Sequence, residues 1–96
     1  MKFGEALEAL RAGKRITRRY WTGVKGKRGE RWLILVPGSK FKIQREPWLT
    51  AIGEGKEMVY HDHIDSVVTG SGKYPHASQW TPLHSDLMAE DWEVIE

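Results

Sequence analysis

The apolar positions of the first twelve residues recur at helical spacing. Phe3, Leu7 and Leu10 fall at i, i+4 and i+7, with Ala6 beside them, so they share one face of an α-helix. Gly13 follows at the position where helices commonly end, because glycine adopts the left-handed backbone conformation without strain. The pattern predicts a helix over residues 3–12 that buries this face.

After Gly13 the pattern becomes typical of strands. Short runs rich in β-branched and aromatic residues are separated by glycine and proline, which favour turns. The run RWLILV at residues 31–36 is the most apolar, and we expect it at the centre of a sheet. The predicted strands cover residues 14–21, 31–36, 40–45, 57–69, 73–80 and 92–95.

A second helix is predicted after the last turn. Thr81 followed by Pro82 suits the N-cap and first position of a helix, which would reach to about residue 89. Leu83, Leu87 and Met88 are then expected to face inward.

Together the elements predict one α+β domain over residues 1–96. An N-terminal helix and a short C-terminal helix would pack on a twisted antiparallel sheet. A chain of 96 residues buries only roughly 60–65% of its unfolded surface. We therefore expect assembly as a homo-oligomer, which adds buried surface.

Composition excludes several classes of protein. The absence of cysteine excludes a disulfide scaffold, a thiolate zinc site and a cysteine nucleophile. No apolar run approaches the ~18 residues of a membrane span. The first ten residues contain two glutamates, unlike a signal peptide. We expect a cytosolic protein with no membrane partner.

Charge is distributed unevenly along the chain. The net charge is +2, but basic residues concentrate in residues 11–31 and acidic residues in residues 86–96. This asymmetry favours an anionic ligand near the basic segment. Alternatively, the two segments face each other, within one subunit or between subunits.

Five tryptophans are more than a core of this size requires. Indoles among basic residues often stack on flat charged groups such as nucleobases. Trp32 and Trp92 lie in predicted strands and suit a core or an interface. Trp21, beside arginines, and Trp80, before a predicted helix N-terminus that favours anions, are the stacking candidates. Trp48 fits either role.

Other chemistry has weaker support. His61-x-His63, with Asp62 and Asp65 nearby, lacks the ligand spacing of a zinc module, and we interpret His63 as a hydrogen-bonding or ligand-contacting residue. No metal, cofactor or catalytic motif is predicted, so the chain is not expected to be an enzyme. The glycine-rich basic loop at residues 22–30 lacks P-loop spacing; it suits either phosphate contact or a solvated hairpin.

Several short motifs fall in a consistent order along nearly the whole chain. They are Phe3-Gly4-Glu5-Ala6-Leu7, Gly13-Lys14, Arg18-x-x-Trp21-x-Gly23, Leu35-Val36-Pro37-Gly38-Ser39, Phe41-x-Ile43-x-Arg45-x-Pro47, Tyr60-x-x-His63-Ile64-Asp65, and Trp80 followed by Ser85-Asp86-Leu87-Met88-Ala89-Glu90-Asp91-Trp92. In this order the chain resembles the second type of Thoeris anti-defence protein of bacteriophages.

The resemblance implies a sponge that binds cyclic nucleotide immune signals without cleaving them. The implied ligands are cyclic ADP-ribose isomers made by TIR-domain proteins and, for some members, CBASS cyclic dinucleotides at separate sites. It also implies a homotetramer with pockets at subunit interfaces, acting in the cytoplasm of the infected bacterial host. No nucleic-acid polymer is expected as a partner.

The resemblance also assigns ligand-binding positions. Trp21 and Trp80 match aromatic residues that stack on a base, and Arg18 matches a position suited to phosphate. Ser85 and Asp86 match a polar pair suited to ribose hydroxyls or base edges. The positions of the sheet motif are Tyr60, His63 and Asp65.

Two other hypotheses start from the same residues. The mixture of aromatic and basic side chains also suits a small basic nucleic-acid-binding module. A phosphodiesterase or ribonuclease would use His63 or His84 as its acid or base.

Overall fold

The computed structural model describes residues 1–21, 30–70 and 72–95. Its helices are α1 Phe3–Arg11, α2 Trp48–Ala51 and α3 His84–Met88. Its strands are β1 Arg15–Arg18, β2 Arg31–Val36, β3 Ser39–Lys42, β4 Glu57–Tyr60, β5 His63–Val68, β6 His76–Gln79 and β7 Trp92–Ile95. None of these helices is long and apolar enough to cross a membrane.

The strands form two antiparallel sheets. The larger has five strands in the order β6-β5-β2-β1-β7, and the smaller pairs β3 with β4. The α+β prediction is confirmed, and β2 is central as expected, but the single predicted sheet is wrong. Strands β1, β3 and β6 are also shorter than predicted.

The predicted strand over residues 57–69 divides into β4 and β5, one in each sheet. The break falls at His61 and Asp62, where the Asp62 carboxylate accepts a hydrogen bond of 2.7 Å from the Gly38 amide. A Cβ atom at residue 38 would collide with the carbonyl oxygen of Tyr60. Glycine therefore permits the close backbone approach that turns the chain from one sheet into the other.

Helix α1 matches its predicted extent closely. Gly13 has φ of +85°, and its amide donates to the Leu10 carbonyl at 2.9 Å. The Lys14 amide donates to the Ala9 carbonyl at 3.0 Å, completing a Schellman ending. Gly13 terminates α1 as predicted and turns the chain directly into β1.

Helix α3 departs from the prediction at its start and on its faces. It begins at His84 with Leu83 as N-cap, so Thr81 and Pro82 lie before the helix. The inward-facing residue is Asp86, while Leu83, Leu87 and Met88 are 67%, 42% and 72% exposed. The predicted inward face is wrong because the Asp86 carboxylate, bound to a sheet arginine, sets the rotation of the helix.

The core lies between α1 and one face of the five-stranded sheet. The register places Ile16 of β1 beside Leu33 of β2 and Val94 of β7. Side chains of α1 cover this face. The fully buried cluster is Ala6, Leu10, Ile16, Leu33 and Trp92.

Residues 39–60, comprising β3, α2 and β4, form an arm that extends from the larger sheet. Its only fully buried large side chain among the described residues is Ile43, 1% exposed. The radius of gyration is 16.2 Å, against about 12 Å for a compact domain of this length. The arm contributes to this elongation, since the described contact between the arm and the larger sheet lies at its base, where Tyr60 of β4 meets His63 of β5.

Candidate functional site

Arg18 holds two carboxylates together at one end of the larger sheet. Its Nη1 donates to Asp86 Oδ1 and its Nε to Asp91 Oδ1, both at 2.9 Å. The three side chains are 22%, 7% and 17% exposed. Burial by itself lowers the pKa of Arg18, but the hydrogen bonds and charges of the two aspartates outweigh it and raise the pKa. We call Arg18, Asp86 and Asp91 the arginine clamp.

Asp86 is fully engaged inside the molecule. Its second carboxylate oxygen accepts the Leu83 amide at 2.8 Å, and its backbone carbonyl accepts the Trp92 indole N–H at 2.9 Å. The N-terminus of α3 is therefore occupied by a protein carboxylate, and the predicted anion site beside Trp80 is wrong. Ser85 lies on the exposed surface of α3.

Trp92 is the centre of an aromatic cluster. Its ring lies 5.4 Å from Phe3, 5.3 Å from Trp21 and 6.0 Å from Trp80, measured between centroids. The contacts with Trp21 and Trp80 are edge-to-face, a favourable arrangement for aromatic rings. The Arg31 guanidinium lies 4.2 Å from the centroid of the Trp21 ring. Trp92 is core as predicted, and the half-buried Trp21 and Trp80 pack against it.

The residues of the predicted sheet motif meet at the base of the arm. The rings of Tyr60 and His63 are 5.6 Å apart, and His63 Nε2 lies 3.4 Å from Asp65 Oδ1. His63 Nδ1 lies 3.3 Å from the His61 carbonyl oxygen. The structure thus places Tyr60, His63 and Asp65 close together, at a location separate from the arginine clamp.

A cleft beside α1 is bordered by residues from two of the predicted groups, the stacking candidates and the sheet motif. Its volume is about 450 Å³, and an adjoining cavity of about 320 Å³ shares Leu7, Leu35 and Asp62 with it. Trp80 and His63 both line the main cavity. Phe3 and Gln79 also line the main cavity, and Arg11 lines the adjoining one. We call these joined cavities the α1 cleft.

Sequence reasoning missed much of this lining. Phe3 and Leu7 were predicted as helix core, and their half-buried state could not be read from periodicity. Arg11 belongs to the basic segment, so the uneven charge distribution indicated it as a contact for an anion. Gln79 was indicated only weakly, by its position one residue before Trp80.

The basic segment and the acidic tail do meet within one chain. Besides the clamp, Arg19 Nε lies 3.3 Å from Glu93 Oε1. The second interpretation of the charge asymmetry is confirmed for Arg18 and Arg19. The predicted phosphate-contacting loop at residues 22–30 lies outside the described residues, apart from Glu30. In the described part of the chain, no group of three or more metal-ligating side chains is suitably placed.

The fold and its site define a small α+β protein with an aromatic cleft between its first helix and its sheet. The chain belongs to the Thoeris anti-defense 2-like domain family, which matches residues 1–95. It is 30% identical over 95 residues to Thoeris anti-defense 2 of Bacillus phage SP01, covering 99% of this chain and 94% of that protein. Membership in the family supports a role in phage anti-defence.

Proposed function

We propose that the protein binds and sequesters a cyclic nucleotide immune signal in the infected host, without cleaving it. The ligand is a cyclic ADP-ribose isomer made by TIR-domain proteins, with CBASS cyclic dinucleotides as a second class. Withholding the signal would block the defence that it activates. The family relationship supports the biological role, and the α1 cleft supports the chemistry.

The observation that carries the proposal is the placement of Trp80 in the α1 cleft. The Trp80 indole packs on Phe3 and Trp92, and the residue also lines a cavity of about 450 Å³. A ring that is fixed in this way can stack on a base with little loss of side-chain entropy. The volume lies in the range of about 300–1,000 Å³ that suits small ligands.

One basic side chain at the rim suits the phosphate of such a ligand. Arg11 lines the adjoining cavity. The side chains of His63 and Gln79 belong to the sheet face opposite α1, because these residues pair in register with Val36 and Asp65. The ion pair of Arg11 with Glu8 is long, at 3.9 Å, and both side chains are exposed, so it stabilises little. Arg11 can therefore leave Glu8 to pair with a phosphate.

The arginine clamp does not line the α1 cleft, but it stabilises the residues on which Trp80 packs. It holds α3 and, through Asp86, the Trp92 indole, against which Trp80 packs. Direct ligand contact by Arg18, Trp21, Ser85 and Asp86 remains a prediction. Sequestration requires ground-state binding alone, and no described group needs to act as an acid or base.

We also propose a homotetramer with ligand pockets at subunit interfaces. The sheet face opposite α1 carries half-buried apolar side chains, and none of the described helices packs on it. A second copy would cover this face and add to a small core. Its apolar residues are Trp32, Ile34, Val36 and Ile95, which are half-buried, and Val67, which is 8% exposed. Asp65, the cross-strand neighbour of Ile34, lies on the same face.

The ligand proposal is tested by replacing Trp80. Trp80→Ala should weaken binding of a TIR-derived cyclic ADP-ribose isomer by about 1–3 kcal/mol, the contribution of one base stack. Trp80→Phe should retain part of the affinity because it keeps a smaller aromatic face. Isothermal titration calorimetry measures both, and chromatography of the ligand released by heat shows whether it stays intact.

Tyr74→Ala is the matched control. Tyr74 is an exposed aromatic residue, 66% accessible, outside the α1 cleft, and its removal should leave affinity unchanged. Equal affinity of wild type and Trp80→Ala would overturn the assigned stacking role. Recovery of a cleaved ligand would overturn sequestration and favour the phosphodiesterase hypothesis.

A further inference from the structure

Asp62 borders both cavities of the α1 cleft. It lies two residues before Ile64, whose cross-strand partner Leu35 also lines the main cavity. Side chains two residues apart along an extended chain point to the same side of a sheet, so Asp62 lies on the side that α1 covers. A carboxylate is thus placed at the junction of the two cavities.

A backbone contact fixes the orientation of this carboxylate. Asp62 Oδ1 accepts the Gly38 amide at 2.7 Å. Within the described residues Asp62 forms no ion pair, and its Oδ2 accepts no hydrogen bond. A carboxylate offers about four acceptor sites, and the Asp62 side chain is exposed. It therefore presents oriented acceptors to an occupant of the cleft.

Arg11 and Asp62 both line the smaller cavity but do not bind each other. In the part of the chain that the structure describes, the ion pair of Arg11 is with Glu8, and the rest of the lining is the apolar Leu7 and Leu35. A phosphate in this cavity would be attracted to Arg11 and repelled by Asp62, whereas a hydrogen-bond donor would be attracted to Asp62. The lining therefore suits a ligand that carries both groups.

The position of Asp62 indicates which part of a nucleotide would carry the donors. The larger cavity is lined by Trp80, the proposed base contact, and the smaller one by Arg11, the proposed phosphate contact. In a nucleotide the ribose joins the base to the phosphate, so it would lie at the junction beside Asp62. Acidic side chains bind ribose hydroxyls in dinucleotide-binding folds, and hydrogen bonds from a hydroxyl to a carboxylate are short and strong.

We propose that Asp62 determines the ligand specificity of the α1 cleft by accepting hydrogen bonds from two neighbouring free hydroxyls of one ribose. The assignment rests on the proposed function and narrows its ligand class. Cyclic ADP-ribose isomers keep a ribose on which both hydroxyls are free, whereas each ribose of a cyclic dinucleotide uses one of them in the ring. In this cleft Asp62 therefore favours the ADP-ribose class over cyclic dinucleotides, which bring phosphates without the paired donors.

Asp62→Asn tests this contact by the sign of its effect. Asparagine can still accept the Gly38 amide, so the turn between the two sheets is retained. Removal of a negative charge beside an anionic ligand would by itself strengthen binding. Loss of the charged acceptor should instead raise the dissociation constant of a TIR-derived cyclic ADP-ribose isomer about tenfold, as measured by isothermal titration calorimetry.

Glu54→Gln is the matched control for charge. Glu54 is exposed, lies outside the lining of both cavities and loses the same unit of charge on substitution. Because solvent and salt screen an exposed charge, the dissociation constant should change less than about twofold. Equal affinity of Asp62→Asn and Glu54→Gln, or tighter binding by Asp62→Asn, would overturn the assignment of Asp62 and leave sequestration intact.

An analogue of the same isomer, with hydrogen in place of one of the two hydroxyls, links the effect to the ribose. The wild type should bind the analogue about tenfold more weakly than the parent. Asp62→Asn should bind it less than about twofold more weakly, because the effects of removing two interacting partners are not additive. Equal losses in the two proteins would overturn the proposal. If Asp62→Asn does not fold, undiminished binding of the analogue by the wild type overturns it instead.

Cyclic di-GMP is the second probe, because its riboses lack the pair of hydroxyls. Its displacement of the bound cyclic ADP-ribose isomer reports binding to this cleft alone. Asp62→Asn should bind cyclic di-GMP at least as tightly as the wild type does, and a preference between the two ligands that Asp62→Asn leaves unchanged would overturn the specificity role. A wild type that binds no cyclic ADP-ribose isomer would overturn the proposed function and, with it, the role of Asp62.

Discussion

At the residue scale, the arginine clamp has the largest energetic consequences among the charged side chains that the structure describes. Asp86 is 5% exposed, and a buried carboxylate is strongly unfavourable when it loses its cation. The clamp also connects three parts of the chain: β1, α3 and the residue before β7. It therefore couples the orientation of α3 to the edge of the sheet.

Arg18→Ala should lower the free energy of unfolding by about 3–5 kcal/mol, because two poorly solvated carboxylates lose their counterion. The matched control is Arg19→Ala. Arg19 pairs with Glu93 at 3.3 Å, but its side chain is 58% exposed, and exposed pairs contribute about 0–1 kcal/mol. Urea denaturation measures the free energy of unfolding of both variants. Similar losses in the two would show that the clamp stabilises the fold no more than an exposed ion pair does.

The raised pKa of Arg18 determines how the stability contributed by the clamp depends on pH. The folded state raises the pKa of Arg18, so the resulting stability is complete below arginine's ordinary pKa and is lost only as pH rises through the higher value. At neutral and mildly alkaline pH the loss in Arg18→Ala should therefore be the same. A loss that changes over this window would point to another titrating group.

The sequence could predict that Arg18 and Asp86 are important, but not that they bind each other. They are 68 residues apart, and only the long-range sheet pairing of β1 with β7 brings their segments together. Trp92, by contrast, was predictable as core because it begins an apolar terminal strand. Trp80 stays a predicted site residue, and the cleft that it lines depends on Phe3 and Leu7 from the other end of the chain.

At the element scale, local signals were reliable where neighbouring residues determine the outcome. Helix α1 follows its apolar spacing, and Gly13 ends it as predicted. Helix α3 does not follow the Thr81-Pro82 signal, since the contact of Asp86 with a distant arginine outweighs it. The division of β4 from β5 likewise depends on the long-range contact of Asp62 with Gly38, which no local pattern contains.

Gly4, inside α1, and Gly13, just after its end, allow the effect of backbone conformation on stability to be compared. Neither Gly4 nor Gly13 has an atom within 4 Å of an added Cβ, but only Gly13 has positive φ, at +85°. Gly4→Ala should stabilise the protein by about 0.5 kcal/mol through helix propensity. Gly13→Ala should destabilise it by about 1 kcal/mol because alanine is strained in this conformation. Thermal denaturation compares them, and shifts of the same sign would contradict the assigned helix end.

At the scale of the whole molecule, the protein is an α1-covered sheet with a projecting arm. One layer of helix covers one sheet face, while the opposite face retains Trp32, with Arg15 at 5.1 Å from its ring centroid, and Ile34. Composition and length predicted a small core. They could not predict that the apolar surface would concentrate on one sheet face, because that requires the register of all five strands.

Ile34→Glu should dissociate the proposed homotetramer, since it replaces an apolar side chain with a second carboxylate beside Asp65 on the face that a second copy would cover. Met88→Glu is the control, at an apolar side chain that is 72% exposed on α3. Light scattering coupled to size-exclusion chromatography gives the mass, and near-ultraviolet circular dichroism reports retained tertiary structure. If Met88→Glu dissociates the assembly and Ile34→Glu does not, the interface lies elsewhere.

The edge-to-face packing of Trp21 and Trp80 on Trp92 also has an optical consequence. Indole transitions at such separations, 5.3 and 6.0 Å between centroids, couple as excitons and produce paired circular dichroism bands of opposite sign. Because Trp80 also borders the α1 cleft, an occupant that tilts its ring would change the amplitude of this couplet. The protein therefore carries its own label-free reporter of occupancy.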